Sequence, residues 1–420
     1  MYGNDHKRDM RILSILIAFG TFMLLSCKNK DTSSSQGDPV RLIKLDLSKA
    51  RSDSMNLSEI ATRIEYIPLE RTDQSILGHV YDFEITDDCF LVEFEMDLFR
   101  YGSDGKFLNR IYTKGRGPAE VQPVCYAIST EDRLVYVISW DRSLKAFDFN
   151  GNYVTSITKP INPEESLPPW RIGYFNSTLF VANAQKPWAK YIYSCYDMKK
   201  DTLHVLYRNI REYKDDQSER NPALIPHDFH YQINEATLLF KEKFSDTIFS
   251  ANREFEVTPR YIIDIANDKL AWEVWRDHAM FDFSNGLPSG YWVQSFYEAN
   301  RFMFLMLISH KGPQVLVTYD RNTGATGMNT LKEFKRAYTR VYLKNDIDNL
   351  IPFAPVNENG YFISSGNCIY SIIDGDEFSR YYRNASEETR NATKYLRQMA
   401  PILDTIDEFS NPVIMKVSLK

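Results

Sequence analysis

This chain of 420 residues lacks the local patterns that announce most metal sites and enzymes. Its cysteines are widely spaced and none has zinc-site form. No Gly-x-Ser-x-Gly elbow, nucleotide-binding glycine loop or His-Glu-x-x-His helix occurs. Acids are plentiful, but no Asp-rich loop of calcium type gathers the convergent oxygens that a hard cation needs. His227-Asp228-Phe229-His230 offers two imidazoles where a catalytic zinc wants a third protein ligand and an open position. They read as ordinary solvated histidines, so no metal or cofactor is predicted. Positive charge is in deficit as well: at a net charge of −6 the chain has no bulk attraction for nucleic acid.

What the N-terminus does have is an address. Lys7, Arg8 and Arg11 precede an apolar run from Ile12 to Leu25, too short to span a bilayer comfortably, and Ser26-Cys27 follows. This is the tripartite form of an export signal. Leu24-Leu25-Ser26-Cys27 resembles the lipobox of bacterial lipoproteins, which implies cleavage before Cys27 and lipidation of its thiol. Residues 1–26 are thus expected to be a signal peptide. Residues 27–39, polar and serine-rich, read as a flexible tether, and residues 40–420 as the folded domain. Lys28-Asn29-Lys30-Asp31 carries no clear acidic run, which favours an outer-membrane anchor facing the periplasm over surface exposure. Cys89, Cys125, Cys195 and Cys368 remain in the mature chain. An even number permits disulfides in an oxidising compartment, but isolated buried thiols on strands are the preferred reading.

Self-similarity predicts the fold. Asp88 to Phe94 followed by Tyr101 to Phe107 matches Asp132 to Ile138 followed by Phe147 to Tyr153, at offsets of 44 and 46 residues. Each copy reads as an apolar strand, a loop, a second strand, an Asp-Gly or Asn-Gly turn and a last strand. Asp104-Gly105 and Asn150-Gly151 are expected to supply the positive φ angles of two-residue hairpins. From Leu91 the apolar strand recurs at Val135, Phe180, Leu239, Met303 and Phe362, in steps of 44, 45, 59, 64 and 59 residues. The expectation is an all-β, six-bladed β-propeller, because one four-stranded copy cannot bury both faces of its sheet alone.

The longer steps absorb insertions. Arg211 to Arg220 reads as a solvated charged loop, and Asp268 to Phe283 as a helix. A further helix is expected after Ser386, with Ala392, Tyr395, Leu396 and Met399 on one face and Pro401 as its stop. Arg63 to Leu69 and Pro412 to Leu419 are the candidates for strands from both termini that close the ring in one blade.

Gly115-Arg116-Gly117-Pro118 with Pro123, Leu134 to Val137, and Phe147-Asp148-Phe149-Asn150-Gly151 resemble NHL-type propeller repeats. Together with Ile67-Pro68-Leu69-Glu70, Phe244 to Phe249 and Asn411-Pro412-Val413, they make the chain similar to the uncharacterised six-bladed β-propeller lipoproteins of Gram-negative gut anaerobes. The resemblance implies the fold and the anchor. It carries over no reaction, since that family has none established and propellers host many unrelated functions.

Candidate ligand contacts follow from residue type. Arg116, in the crossing from the first blade to the second, is placed near the channel mouth, where its fork could grip a carboxylate or phosphate; its bland alternative is a pair with a neighbouring acid. Asp141 reads as a loop-tying acid, leaving Arg142 as the more interesting neighbour. Trp272, Trp275 and Trp292, with Tyr291 and Tyr297, suggest a platform for sugar rings, unless they seal the inserted helix against the propeller. The functional expectation is a lipoprotein, held to the membrane through Cys27, that binds or scaffolds an envelope protein or glycan. The alternative is a metal-dependent enzyme of the lactonase or polysaccharide-lyase sort, where calcium would sit at the channel mouth. An enzyme should gather acids, amides and a histidine from several blades at one end of the channel; a scaffold should show an exposed apolar or aromatic patch away from it.

Overall fold

Between turn residues the apolar runs become strands, and antiparallel ladders sort them into six sheets arranged as a ring. The computed structural model describes residues 39–420, apart from 52–54, 81, 118, 158–168, 170, 183–190, 209–229, 235, 243–244, 271–288, 310 and 331–341. Two strands precede the first blade, β1 (Arg41–Lys44) and β2 (Ala61–Pro68). Blade 1 holds β3 (Phe83–Ile85), β4 (Cys89–Phe94), β5 (Asp97–Gly102) and β6 (Phe107–Tyr112). Blade 2 holds β7 (Pro123–Ser129), β8 (Leu134–Ser139), β9 (Leu144–Asp148) and β10 (Tyr153–Ile157). Blade 3 is β11 (Arg171–Phe175), β12 (Thr178–Ala182), β13 (Tyr191–Asp197) and β14 (Thr202–Arg208). Blade 4 is β15 (His230–Ile233), β16 (Leu238–Lys241), β17 (Thr247–Ala251) and β18 (Val257–Asp264). Blade 5 is β19 (Tyr291–Glu298), β20 (Phe302–Ser309), β21 (Val315–Asp320) and β22 (Thr326–Thr330). In blade 6, β23 (Ile363–Ser365) and β24 (Cys368–Ile373) are joined by the last strand, β25 (Val413–Leu419), and then by β2. The protein is a six-bladed β-propeller.

Because each sheet is covered by a blade on either side, its middle strands are apolar without alternation. In β20, Phe302 to Leu307 are all buried. The ring closes as the sequence suggests: β25 lies between β24 and β2, with Ile64 opposite Val417 and Pro68 opposite Val413. The thiols are free, with Cys89 and Cys195 buried and Cys125 and Cys368 partly so.

Ahead of β2 the chain runs along the outer rim. β1 adds in parallel to the outer strand of blade 4, Arg41 opposite Tyr261 and Lys44 opposite Asp264. Arg51 then bridges β22 of blade 5, donating to the Met328 carbonyl and accepting from the Thr330 N–H, before Leu57 donates to the Lys344 carbonyl. This rim segment covers the open edges of two blades.

The glycine turns differ in detail from the expected two-residue hairpins. The Gly102 N–H donates to the Lys106 carbonyl and the Asp148 N–H to the Asn152 carbonyl, leaving three-residue loops. Within these two loops only Gly105 and Gly151 have positive φ, 84° and 85°, the form of a type I turn followed by a bulge. Both also touch the preceding blade: a Cβ on Gly105 would lie 2.1 Å from the Pro68 carbonyl oxygen, and one on Gly151 would lie 2.4 Å from that of Arg110.

Two other readings are corrected. Phe362, the expected centre of the sixth repeat's apolar strand, precedes the inner strand β23, and the strand equivalent to Cys89–Phe94 is Cys368–Ile373. The helical insertion is three helices, α1 (Gly375–Asn384), α2 (Glu387–Arg390) and α3 (Lys394–Leu403). Ser386 caps α2, but Thr393 starts a new helix by accepting from the Leu396 N–H at 3.1 Å, and Pro401 lies inside its last turn. Tyr395 ties α3 to the closing strand, its hydroxyl accepting from the Tyr66 N–H at 2.9 Å. The expected loop 211–220, and the expected helix over 268–283 from residue 271 onward, lie outside the described residues.

Antiparallel order divides the connections between two faces. Those from odd- to even-numbered strands after β3 are two to five residues long. Those from even- to odd-numbered strands leave from the opposite face and run to as many as 39 residues. Long connections on a rigid scaffold are where binding surfaces are usually built.

Candidate functional site at the channel mouth

The inner strands β3, β7, β11, β15, β19 and β23 surround the central channel, and their first residues lie at the end from which the long connections leave. Asp82 precedes β3, Arg171 opens β11, His230 opens β15 and Tyr361 comes just before β23. These four meet. The Arg171 guanidinium sits 3.6 Å from the Asp82 carboxylate and 4.6 Å from the centre of the Tyr361 ring. His230 stacks on Tyr361 at 5.7 Å with 8° between the planes. Blade 3 lies opposite blade 6 in a six-membered ring, so the Arg171–Tyr361 contact reaches across the channel.

His230 is buried, which corrects its reading as a solvated residue. Its Nε2 faces the Phe296 carbonyl, which can only accept, so Nε2 carries the proton. Burial, and then the Arg171 charge, pull its pKa down to about 3, so the ring is neutral at physiological pH.

Beside this bar are two carboxyls with no hydrogen bond or ion pair among the described residues, Glu84 on β3 and Glu93 near the end of β4. Glu84 is reached by solvent although protein surrounds it, as expected of a side chain lining a channel. Burial, reinforced by the charge of Asp82, pushes Glu84 up to about 7, with Arg171 pulling the other way. Burial and Asp82 likewise raise Glu93 to about 7. Tyr126 on β7 completes this side, its ionisation pushed well up by burial and then by Glu84 and Glu93. Tyr231 donates to the Ile172 carbonyl at 2.7 Å and stitches blade 4 to blade 3. Burial raises the Cys125 thiol, whose Sγ points at the Pro169 carbonyl, so it is no nucleophile.

Among the described residues the mouth therefore sets the carboxyls of Asp82, Glu84 and Glu93 around the Arg171 guanidinium, with tyrosines from several blades, while the nearby Lys241 ammonium, which also depresses His230, donates to the Glu242 carbonyl at 2.8 Å. Carboxyls that titrate near neutrality can exchange protons with a bound group or pair with a cation. A metal draws no support from the described residues, among which no three His, Cys, Asp or Glu side chains converge.

Of the residues singled out from the sequence, His230 is part of this site. Arg116 is exposed in a loop closed by Gly115 and Val121, where Glu120 accepts from the Gly117 N–H at 2.7 Å; among the described residues it forms no ion pair. Arg142 stands in the turn between β8 and β9 with φ 67°. Its neighbour Asp141 ties that turn, accepting from the Ser143 N–H and hydroxyl at 3.0 and 2.6 Å. Trp292 is 5% exposed, its Nε1 donating to Gln294, and Tyr297 is 2% exposed, so neither ring offers a face for a sugar. Tyr291 packs beside Gly312. Cys27, His227, Trp272 and Trp275 lie outside the described residues.

Asp82, Glu84, Glu93 and Arg171 went unremarked in the sequence. The available signal was an acid inside an apolar strand, as in Cys89-Phe90-Leu91-Val92-Glu93-Phe94, in a fold that buries such strands on both faces.

Among solved structures, a candidate exported protein of Bacteroides fragilis is similar at 14% identity and a TM-score of 0.61, over 91% of this chain and 100% of that one. A member of the DUF4221 family from Bacteroides vulgatus shows 11% identity and a TM-score of 0.47, over 86% and 97% of the two chains. Virginiamycin B lyase of Staphylococcus aureus shows 11% identity and a TM-score of 0.39, over 85% and 99%. The first likeness supports the fold; the other two carry no argument. No curated protein matches. Residues 42–418, nearly all of the ring just described, match the family model described as a domain of unknown function, DUF4934, and the protein belongs to that family.

Proposed function

We propose that this is a binding protein of the cell envelope, whose propeller receives a glycan fragment or the exposed part of a protein partner at the channel mouth. Cleavage before Cys27 and lipidation of its thiol would hold it through residues 27–39 to the outer membrane, facing the periplasm. The leader and lipobox motifs support the anchor, and the exported description of the Bacteroides fragilis neighbour is in keeping with an extracytoplasmic site. One observation carries the binding reading: charged and aromatic groups of five blades converge at the face from which the long connections leave.

The test is a pull-down from native membranes combined with assays of glycan turnover. A stoichiometric partner or a bound glycan, released by substitutions at Arg171 or Tyr126, is the expected outcome. Calcium-dependent turnover with no partner would replace this reading with the lactonase or lyase alternative, which Glu84 and Glu93, poised near neutrality for acid–base work, favour. For the anchor, Cys27→Ala should move the protein from the membrane to the soluble fraction; unchanged membrane association would refute lipidation.

A further inference from the structure

We infer that the channel mouth takes a ligand group bearing a primary ammonium, held by Glu84 and Glu93 and completed by tyrosine hydroxyls and ring faces. The inference rests on the binding reading above and names the chemistry of its ligand. Among the described residues Asp82, Glu84 and Glu93 face the mouth; the Arg171 guanidinium is committed to Asp82 and to the ring of Tyr361, and the Lys241 ammonium to the Glu242 carbonyl. Glu84 and Glu93 are left with no partner among the described residues. A second feature points the same way. Tyr112, at the end of β6, is 3% exposed, yet its hydroxyl has no hydrogen-bond partner. Register places Tyr112 on the same face of the blade 1 sheet as Glu93, one on each side of Leu98, and burial, then the neighbouring Glu93 and Cys125, hold the phenol un-ionised.

A buried hydroxyl is ordinarily satisfied, and an ammonium supplies three donors that a phenol oxygen and two carboxylates can accept. Tyrosine faces such as that of Tyr126 add attraction for a cation. The acids do not gather tightly enough to hold a metal ion. A larger organic cation needs no such convergence.

Isothermal titration of the mature chain carrying Cys27→Ala, at pH 8 and low salt, tests this with three probes: glucosamine, Nα-acetyl-lysinamide and neutral N-acetylglucosamine. Saturable binding of an ammonium probe is expected, with N-acetylglucosamine at least tenfold weaker. Preference for glucosamine identifies an amino sugar as the source, and preference for the lysinamide a protein side chain. The double variant Glu84→Gln/Glu93→Gln should bind at least tenfold more weakly with unchanged circular dichroism. Tyr112→Phe, which keeps the ring, should weaken binding a few-fold. Failure of both ammonium probes to bind, equal binding of N-acetylglucosamine, or full affinity in the double variant would each overturn the inference. If the neutral sugar binds and Tyr126→Ala abolishes that binding while the double variant does not, the ammonium is overturned but the mouth remains the binding site.

Discussion

Glu93 is an acid in an otherwise apolar strand, and its effect on the fold depends on pH. Unfolded, its carboxyl returns to the ordinary range near 4.5; folded, it titrates at about 7. Between those values the folded state holds a proton that the unfolded state has lost. Stability contributed there is full below about 4.5, falls as pH rises, and is gone above about 7. Glu93→Gln should remove this dependence and, at pH 8, stabilise the protein by about 1–2 kcal/mol, less than the full shift implies because channel water screens the charge. Urea denaturation of both proteins at pH 5 and pH 8 reads it directly. Equal pH dependence in the two would mean that Glu93 is ionised in the fold.

Other acids of the mouth share the logic, and this is why the site was hard to see beforehand. A carboxyl on β3, another on β4 and a guanidinium on β11 are separated by up to 87 residues in the chain. Only the ring brings them together, and no local motif encodes that. The candidates that did stand out, Arg116 and Trp292, did so by residue type alone. One proved to be a surface arginine and the other a buried indole tied to Gln294.

At the scale of elements, the repeat was legible because its turn chemistry is local. Asp-Gly and Asn-Gly mark the same hairpin in blades 1 and 2, and Gly324 marks it in blade 5. The sequence could not show that two of these glycines also carry contacts between blades. Gly151→Ala combines a positive φ with a Cβ driven onto the Arg110 carbonyl, whereas at Gly324, φ 75°, nothing lies within 4 Å. The first substitution should cost about 3 kcal/mol and the second about 1 kcal/mol. Thermal unfolding of the pair separates the backbone strain they share from the clash that only one has. Elsewhere local signals misled. Tyr361-Phe362-Ile363 outcompeted the true second strand of blade 6, and the helical face of Ala392 to Met399 hid the break at Thr393, where a hydroxyl caps better than the helix continues.

For the whole molecule, closure is the cooperative element. β25 supplies hydrogen bonds to β24 on one side and β2 on the other, and Tyr395 adds a tie from α3. Deleting residues 413–420 should abolish the single cooperative unfolding transition, because it opens blade 6 and exposes its apolar faces to water. An intact transition at the original temperature would place closure elsewhere. Deleting residues 40–45 removes only β1 and should leave a folded ring with a modestly lowered midpoint.

The rim segment also sets how the ring bears mechanical load. Tension applied at Val40 reaches β1 first, a four-residue parallel contact with β18, and then the bridge of Arg51 to Met328 and Thr330. These, and the bonds that tie Met55 and Leu57 to Lys344, would have to tear before the pull arrived at β2 and its ladder with β25. The segment therefore works as a fuse in series with the closure, yielding chain length under strain while the propeller stays whole.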